Sequence, residues 1–295
     1  MKLTDEQVAK FKNDGVLVAE GVVTEEDLAP MTAELEVWVD RKAHVLQAEG
    51  VITDLAEGED FGNRIARLYA QSPRITEGLD VMQSLGPKLF EFLRNDNVLD
   101  AVQSLLGTPE ITCNPIQHLR AKAPASATGE GASFFNVPWH QDKAVTWEEA
   151  DDSDIITCWL ALVDATVENG CMEVVPGIFK QGLLEHKAGA GGPSIPPDAF
   201  GPDAEIRPVP VKRGGFVFMH RCTPHRSTPN FTESARWSLD LRYQPTGQPT
   251  GRPFHPEFIA RSAAHPETVL TDHSVWAKRW TEALASSKGI RAHRV

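Results

Sequence analysis

The chain has 295 residues, 41% hydrophobic and 24% charged, an ordinary balance for a globular protein that can bury a sizeable core. A formal net charge of −12, with no Lys/Arg-rich block to offset it, argues against nucleic acid or an anionic membrane surface as partner. Cys113, Cys158, Cys171 and Cys222 lack CxxC spacing, so neither a disulfide framework nor a zinc knuckle is expected. The charged amino-terminal segment and the absence of a membrane-length apolar run predict a cytoplasmic protein.

In chain order, Thr4 with Gln7 gives a capping box, Val8 and Phe11 mark a buried side, and Gly15 stops the first helix. Val16, Leu17 and Val18 predict a short strand. Thr24 with Asp27 repeats the capping signal ahead of an apolar stripe at Leu28, Met31, Leu35 and Trp38, and Pro30 is expected to kink the first turn. Residues 76–106 carry Leu85, Leu89, Phe90, Leu93, Val98, Leu99, Val102 and Leu106 at helical spacing, closed by Gly107.

The character then changes. Strand-like runs fall at residues 116–122, 155–163, 171–175, 209–211, 216–219 and 237–243, with Gly/Pro/Asp-rich turns between them. Residues 188–202 predict a long surface loop near any site. Residues 273–287 return to helix, with Trp276, Trp280 and Leu284 on one stripe. Helices flanking a block of short strands predict a mainly β fold, a sandwich or jelly roll, and not an alternating parallel sheet. With no internal repeat, residues 1–295 are expected as one domain: a helical part to about 108, a β core over about 109–245 and a terminal helix over about 273–287.

The chemistry centres on Val137-Pro138-Trp139-His140-Gln141-Asp142. Residues i and i+2 of a strand share a face, with Cα atoms roughly 6.6 Å apart, so His140 and Asp142 would converge on one cation. Taken alone, such a pair is more often a surface loop. Two features favour the metal reading. Phe134, Phe135, Val137 and Trp139 lead into the pair, and the apolar run at 216–219 ends in a turn bearing His220 and His225. Two histidines and a carboxylate with open positions are the ligand pattern of mononuclear non-haem iron. His220 rivals His225 as third ligand, but its register is opposite and the spacing to Arg236 favours His225. Arg236 lies on a strand with Ser238, opposite Trp237, Leu239, Leu241 and Tyr243. An interior guanidinium needs an anion, which could be a bound dicarboxylate or a structural partner such as Asp240. The remaining histidines fit no ligand pattern.

The succession His140-Gln141-Asp142, Trp159, Asn169-Gly170-Cys171-Met172-Glu173-Val174-Val175-Pro176-Gly177, His225 with Ser227 and Asn230, then Arg236, resembles the phytanoyl-CoA dioxygenase family of Fe(II)/2-oxoglutarate oxygenases. The resemblance covers most of the chain. It implies a double-stranded β-helix (jelly roll, cupin-like) with His140, Asp142 and His225 as iron ligands. Arg236 would hold the distal carboxylate of 2-oxoglutarate, with Ser227 beside it and Trp159 nearby; Gln117, His118 and Ser238 are further candidates for the co-substrate's surroundings. The implied reaction consumes O2, decarboxylates 2-oxoglutarate and hydroxylates, or otherwise oxidises at a C–H bond, a small-molecule substrate.

Where the family often has Pro-Gly-Ser-His, this chain has Pro176-Gly177-Ile178-Phe179, a departure that touches no ligand. Asp142 fills the position that related halogenases leave open for halide, which favours oxygenation. A cupin-like hydrolase or isomerase would keep the ligands and not need Arg236; a jelly-roll binding module would need no metal. Residues 62–71, 129–135, 147–154 and 188–202 are expected to shape substrate choice. Within the first, Arg64 and Arg67 could meet an anionic substrate or simply face solvent. The acidic run Glu148-Glu149-Ala150-Asp151-Asp152 disfavours a highly anionic substrate such as a CoA ester.

Overall fold

The structure, a computed structural model, describes residues 1–294. Its elements in chain order are α1 (Asp5–Asp14), β1 (Val16–Ala19), α2 (Glu25–Ala48), α3 (Phe61–Gln71), α4 (Val81–Ser84), α5 (Pro87–Phe92), α6 (Asp96–Leu106), β2 (Ile111–Cys113), β3 (His118–Lys122) and α7 (Ala125–Thr128). There follow β4 (Ile156–Ala161), β5 (Met172–Val174), β6 (Arg207–Val209), β7 (Phe216–His220), β8 (His225–Ser227), β9 (Arg236–Pro245), β10 (Phe258–Arg261) and α8 (His273–Ser286). No helix among the described residues is long and apolar enough to cross a membrane.

Both predicted capping boxes form, at Thr4 with Gln7 and at Thr24 with Asp27. Gly15 ends α1 at φ 73°, where an added Cβ would sit 2.3 Å from the Phe179 ring. Only glycine meets both demands. Helix α2 runs through Pro30, and its residues Leu28, Met31, Leu35, Val39, Ala43 and Leu46 bury one continuous stripe, with Trp38 partly buried against the same core. The helical spacing over 76–106 is divided among three helices, α4, α5 and α6. Leu85 turns left-handed at φ 49°, Pro87 starts α5, and Asn95 caps α6 by accepting from the backbone N–H groups of Asn97 and Val98.

The strands form two antiparallel sheets. One has seven strands in the order β1-β7-β4-β9-β2-β10, with β3 also paired to β9; the other has three, in the order β6-β5-β8. Alternation along the central strands divides the core. Cys158 and Leu160, Phe216 and Phe218, and Trp237, Leu239, Leu241 and Tyr243 face the helices. Trp159 and Ala161, with Val217 and Met219, face the small sheet, where they meet Met172 and Val174. Strand β9 is therefore buried on both faces, and its polar face, Arg236, Ser238, Asp240 and Arg242, is turned to the space between the sheets. Strands β2, β8 and β10 lie outside the predicted runs; each has three or four residues, too few to show a period.

Candidate metal centre

His140 and His225 pair through their backbones, each N–H donating to the other's carbonyl at 3.0 Å. This bridge prolongs the small sheet and brings the rings to 4.2 Å between centroids. Asp142 does not continue a strand, contrary to expectation; it opens a 3-10 turn, Asp142–Val145. Gln141 explains why. Its buried amide donates to the carbonyls of Gly182 (2.8 Å) and Cys222 (2.6 Å) and accepts from the N–H of Leu184 (2.7 Å), pinning the chain where it turns. His140 and Asp142 converge all the same.

Oδ1 of Asp142 lies 3.7 Å from Nε2 of His140 and 3.9 Å from Nε2 of His225. One donor atom from each residue falls within 4.8 Å of the others, a spacing that could hold a metal ion. Each imidazole has its Nδ1 2.9 Å from a backbone carbonyl, Pro138 for His140 and Thr223 for His225. With Nδ1–H donated there, Nε2 is left as a lone pair aimed at the centre. Burial, then His225, pushes the His140 pKa down to about 3, so it is neutral and available as a ligand. Burial would raise the pKa of Asp142, but Arg242 and the two histidines outweigh it and hold the carboxylate ionised. The donor set of two imidazoles and one carboxylate suits Fe(II).

Around these groups lies a cavity of about 230 Å³. Trp159, Ser227, Arg236 and His118 line it, as expected from the sequence. Arg236 is 2% exposed; its Nη1 donates to the Gly170 carbonyl at 2.9 Å, its Nε has no partner, and its guanidinium carbon lies 4.9 Å from the centre of the Trp159 ring. Asp240, the structural partner considered for it, is engaged by Arg120 at 3.3 Å. Burial lowers the Arg236 pKa to about 10, leaving it charged at neutral pH. Opposite Arg236 on β3 stands Lys122, 1% exposed, whose Nζ donates to Ser227 Oγ at 2.7 Å and to the Thr228 carbonyl.

Other expectations are not met. Gln117 is turned away, donating to Cys113 Sγ (2.7 Å) and the Asn114 carbonyl (2.9 Å), and Ser238 is buried outside the cavity wall. His220 packs its ring 4.9 Å from that of Phe179 and is not in the cluster that contains His225. That stacking also occupies Phe179, one of the two residues departing from the family pattern. Trp139 faces Phe200, Val175 and Ile195 instead of the centre. Arg64 and Arg67 pair with Asp40 and with Glu59 and Asp54 and do not line the cavity. Segment 129–135 contributes Phe134 and segment 188–202 contributes Gly191, Gly192 and Pro193, whereas 62–71 and 147–154 contribute nothing.

Sequence reasoning missed Arg242, whose Nη2 donates to Asp142 Oδ1 at 2.6 Å, and Thr157, which donates to Oδ2. Both signals were present, because Arg242 follows Arg236 by six residues on the same strand face and Thr157 precedes Trp159 by two. Arg252 and His293, also on the wall, carried no such signal.

Two antiparallel sheets holding two imidazoles, a carboxylate and a buried unpaired arginine define a non-haem iron, 2-oxoglutarate-dependent enzyme class. The chain belongs to the phytanoyl-CoA dioxygenase (PhyH) family, whose model matches residues 11–238. It is 25% identical to phytanoyl-CoA dioxygenase domain-containing protein 1 of Bos taurus, over 83% of this chain and 96% of that protein. Among solved structures, the non-heme monooxygenase ThoJ in its apo form superposes with a TM-score of 0.64 at 18% identity, covering 97% of this chain and all of that one. The epimerase SnoN, in complex with Fe3+, alpha ketoglutarate and nogalamycin RO, superposes with a TM-score of 0.56 at 20% identity, over 85% and 88% of the two chains. The protein is thus an iron enzyme that uses 2-oxoglutarate to oxidise a small molecule.

Proposed function

We propose that this protein hydroxylates its small-molecule substrate, with Fe(II) held by His140, Asp142 and His225 and with the distal carboxylate of 2-oxoglutarate held by Arg236. In this reading residues 1–295 act as one domain, and the two sheets are the faces of a double-stranded β-helix that carries the centre between them. The observation that carries it is the state of Arg236: a buried cation with a free Nε and, among the described residues, no carboxylate within 4.0 Å. A guanidinium left that way is costly unless a ligand supplies the anion. Lys122 and Ser227 beside it add an amine and a hydroxyl to the same corner. A cupin-like enzyme without a 2-oxo acid has no use for that corner.

Iron with 2-oxoglutarate and O2 would supply the oxidant for C–H cleavage. The protein's own contribution is placement. His140 and His225 are fixed by paired backbone bonds and by their Nδ1 contacts, Asp142 is kept ionised by Arg242, and Trp159 packs against Arg236. The apolar wall of Ile116, Phe134, Val137 and Met172 excludes water from the remaining space.

Arg236→Ala is expected to weaken apparent 2-oxoglutarate affinity about ten- to a hundred-fold, the worth of a charged hydrogen bond of about 1.5–3 kcal/mol. Arg236→Lys keeps the charge but loses the fork and recovers part. Metal affinity should be unchanged in both. Undiminished 2-oxoglutarate dependence in Arg236→Ala, or turnover without a 2-oxo acid, would overturn the assignment.

A further inference from the structure

Four arginines line the cavity: Arg120, Arg236, Arg242 and Arg252. Arg120 is paired with Asp240 and Arg242 with Asp142. Arg236 is taken by the co-substrate in the reading above, on which this inference rests. Arg252 is left over. It is 6% exposed, its Nη2 donates to the Val145 carbonyl at 3.1 Å, and its Nε has no partner. Among the described residues no carboxylate lies within 4.0 Å of it; burial first, then the charge of Arg242, lowers its pKa to about 10.

The placement is built, not incidental. Gly251 sits at φ 71°, where an added Cβ would meet Cβ of Thr146 at 2.5 Å. The Gly251 carbonyl accepts from the Trp147 N–H at 2.9 Å, and the Arg252 N–H donates to Thr250 Oγ1 at 3.1 Å. The loop therefore presses its backbone onto the turn after Asp142 and fixes Arg252 at the wall beside His293. With Asp142, Asp240 and a dicarboxylate co-substrate all accounted for, Arg252 is the one of the four arginines left without an anionic partner, and the apolar side chains of Ile116, Phe134, Val137 and Met172 share its wall.

We propose that Arg252 binds the carboxylate of the primary substrate, so that the substrate is a small organic acid with an apolar body, used as the free acid. A CoA thioester has no carboxylate to offer at this point, and its nucleotide would lie outside a cavity of about 230 Å³.

The test uses the full-length protein loaded with Mn(II) and 2-oxoglutarate, which does not turn over. It is titrated calorimetrically with hexanoate, cyclohexanecarboxylate and phenylacetate, each against its primary amide, and with hexanoyl-CoA. At least one acid should bind more tightly than its amide by about tenfold or more. Arg252→Gln should remove about ten- to a hundred-fold of acid affinity only, leaving amide and 2-oxoglutarate affinities unchanged, and Arg252→Lys should restore part of the preference. A merely structural arginine would weaken acid and amide alike. The proposal is overturned if no acid outbinds its amide, if the preference survives Arg252→Gln, if hexanoyl-CoA binds in an Arg252-dependent way, or if 2-oxoglutarate affinity falls in that variant. If the wild-type protein fails to bind 2-oxoglutarate at all, it is the underlying co-substrate reading that falls.

Discussion

Arg242 donates from Nη2 to Oδ1 of Asp142 at 2.6 Å, and both residues are buried. The same oxygen faces the Nε2 atoms of His140 and His225 at 3.7 and 3.9 Å, so one carboxylate atom is where the guanidinium and both imidazoles converge. The other oxygen accepts from Thr157. Position and charge of Asp142 are both set by β4 and β9 and not by the short turn on which it sits.

Arg242→Met should therefore do two things. The metal-free protein should lose about 3–5 kcal/mol of stability, as expected when one partner of a buried pair is removed. Mn(II) affinity should fall about ten- to a hundred-fold through loss of the group that orients the ligand. Urea unfolding and a metal titration read the two separately. Unchanged metal affinity would show that Thr157 and the histidines suffice to place Asp142.

Lys122 should link co-substrate binding to pH. Burial first, and Arg236 second, lower its pKa from an ordinary 10.5 to about 6. Between those values the unfolded chain binds more protons than the folded one, so this group makes stability rise with pH over that window. A dianion arriving beside Lys122 favours its charged form and draws in a proton at pH 8. Binding enthalpies measured for 2-oxoglutarate in two buffers of different ionisation enthalpy should then differ, and Lys122→Met should erase the difference. Equal enthalpies in the wild-type protein would mean that the lysine stays neutral.

Tryptophan fluorescence should report the site through Trp159. Its ring lies against Arg236 on the cavity wall, whereas Trp139 is turned toward Phe200. Anaerobic addition of Fe(II) and 2-oxoglutarate should quench the wild-type signal and that of Trp139→Phe. Trp159→Phe should show a much smaller saturable change; an equal change there would place the reporter elsewhere.

The two neighbouring histidines should separate cleanly. His225→Ala should lose metal binding, while His220→Asn should keep it and lose only packing against Phe179. A metal-binding defect in His220→Asn larger than that of His225→Ala would reverse the assignment of the third donor.

Much of the architecture was legible because it follows from local rules. The capping boxes at Thr4 and Thr24, the stop at Gly15, strands β4, β7 and β9, and α8 each carry a period or cap that a short window contains. Strands β2, β8 and β10 did not, since three or four residues cannot display alternation. The helical spacing over 76–106 was legible, but not its division at Leu85, Pro87 and Asn95 into three helices.

The identities and order of His140, Asp142, His225 and Arg236 were determined by the chain itself, because ligand chemistry is a property of residue type, whereas the turn that carries Asp142 was not legible there. What only the tertiary structure decided is which charges are answered. Asp240 is given to Arg120 and not to Arg236, Arg242 reaches Asp142 across 100 residues, and Arg252 comes to the wall with no carboxylate among the described residues to meet it. Pairing of buried charges depends on which segments the sheets and loops bring within a few ångströms, and no local period encodes that distance.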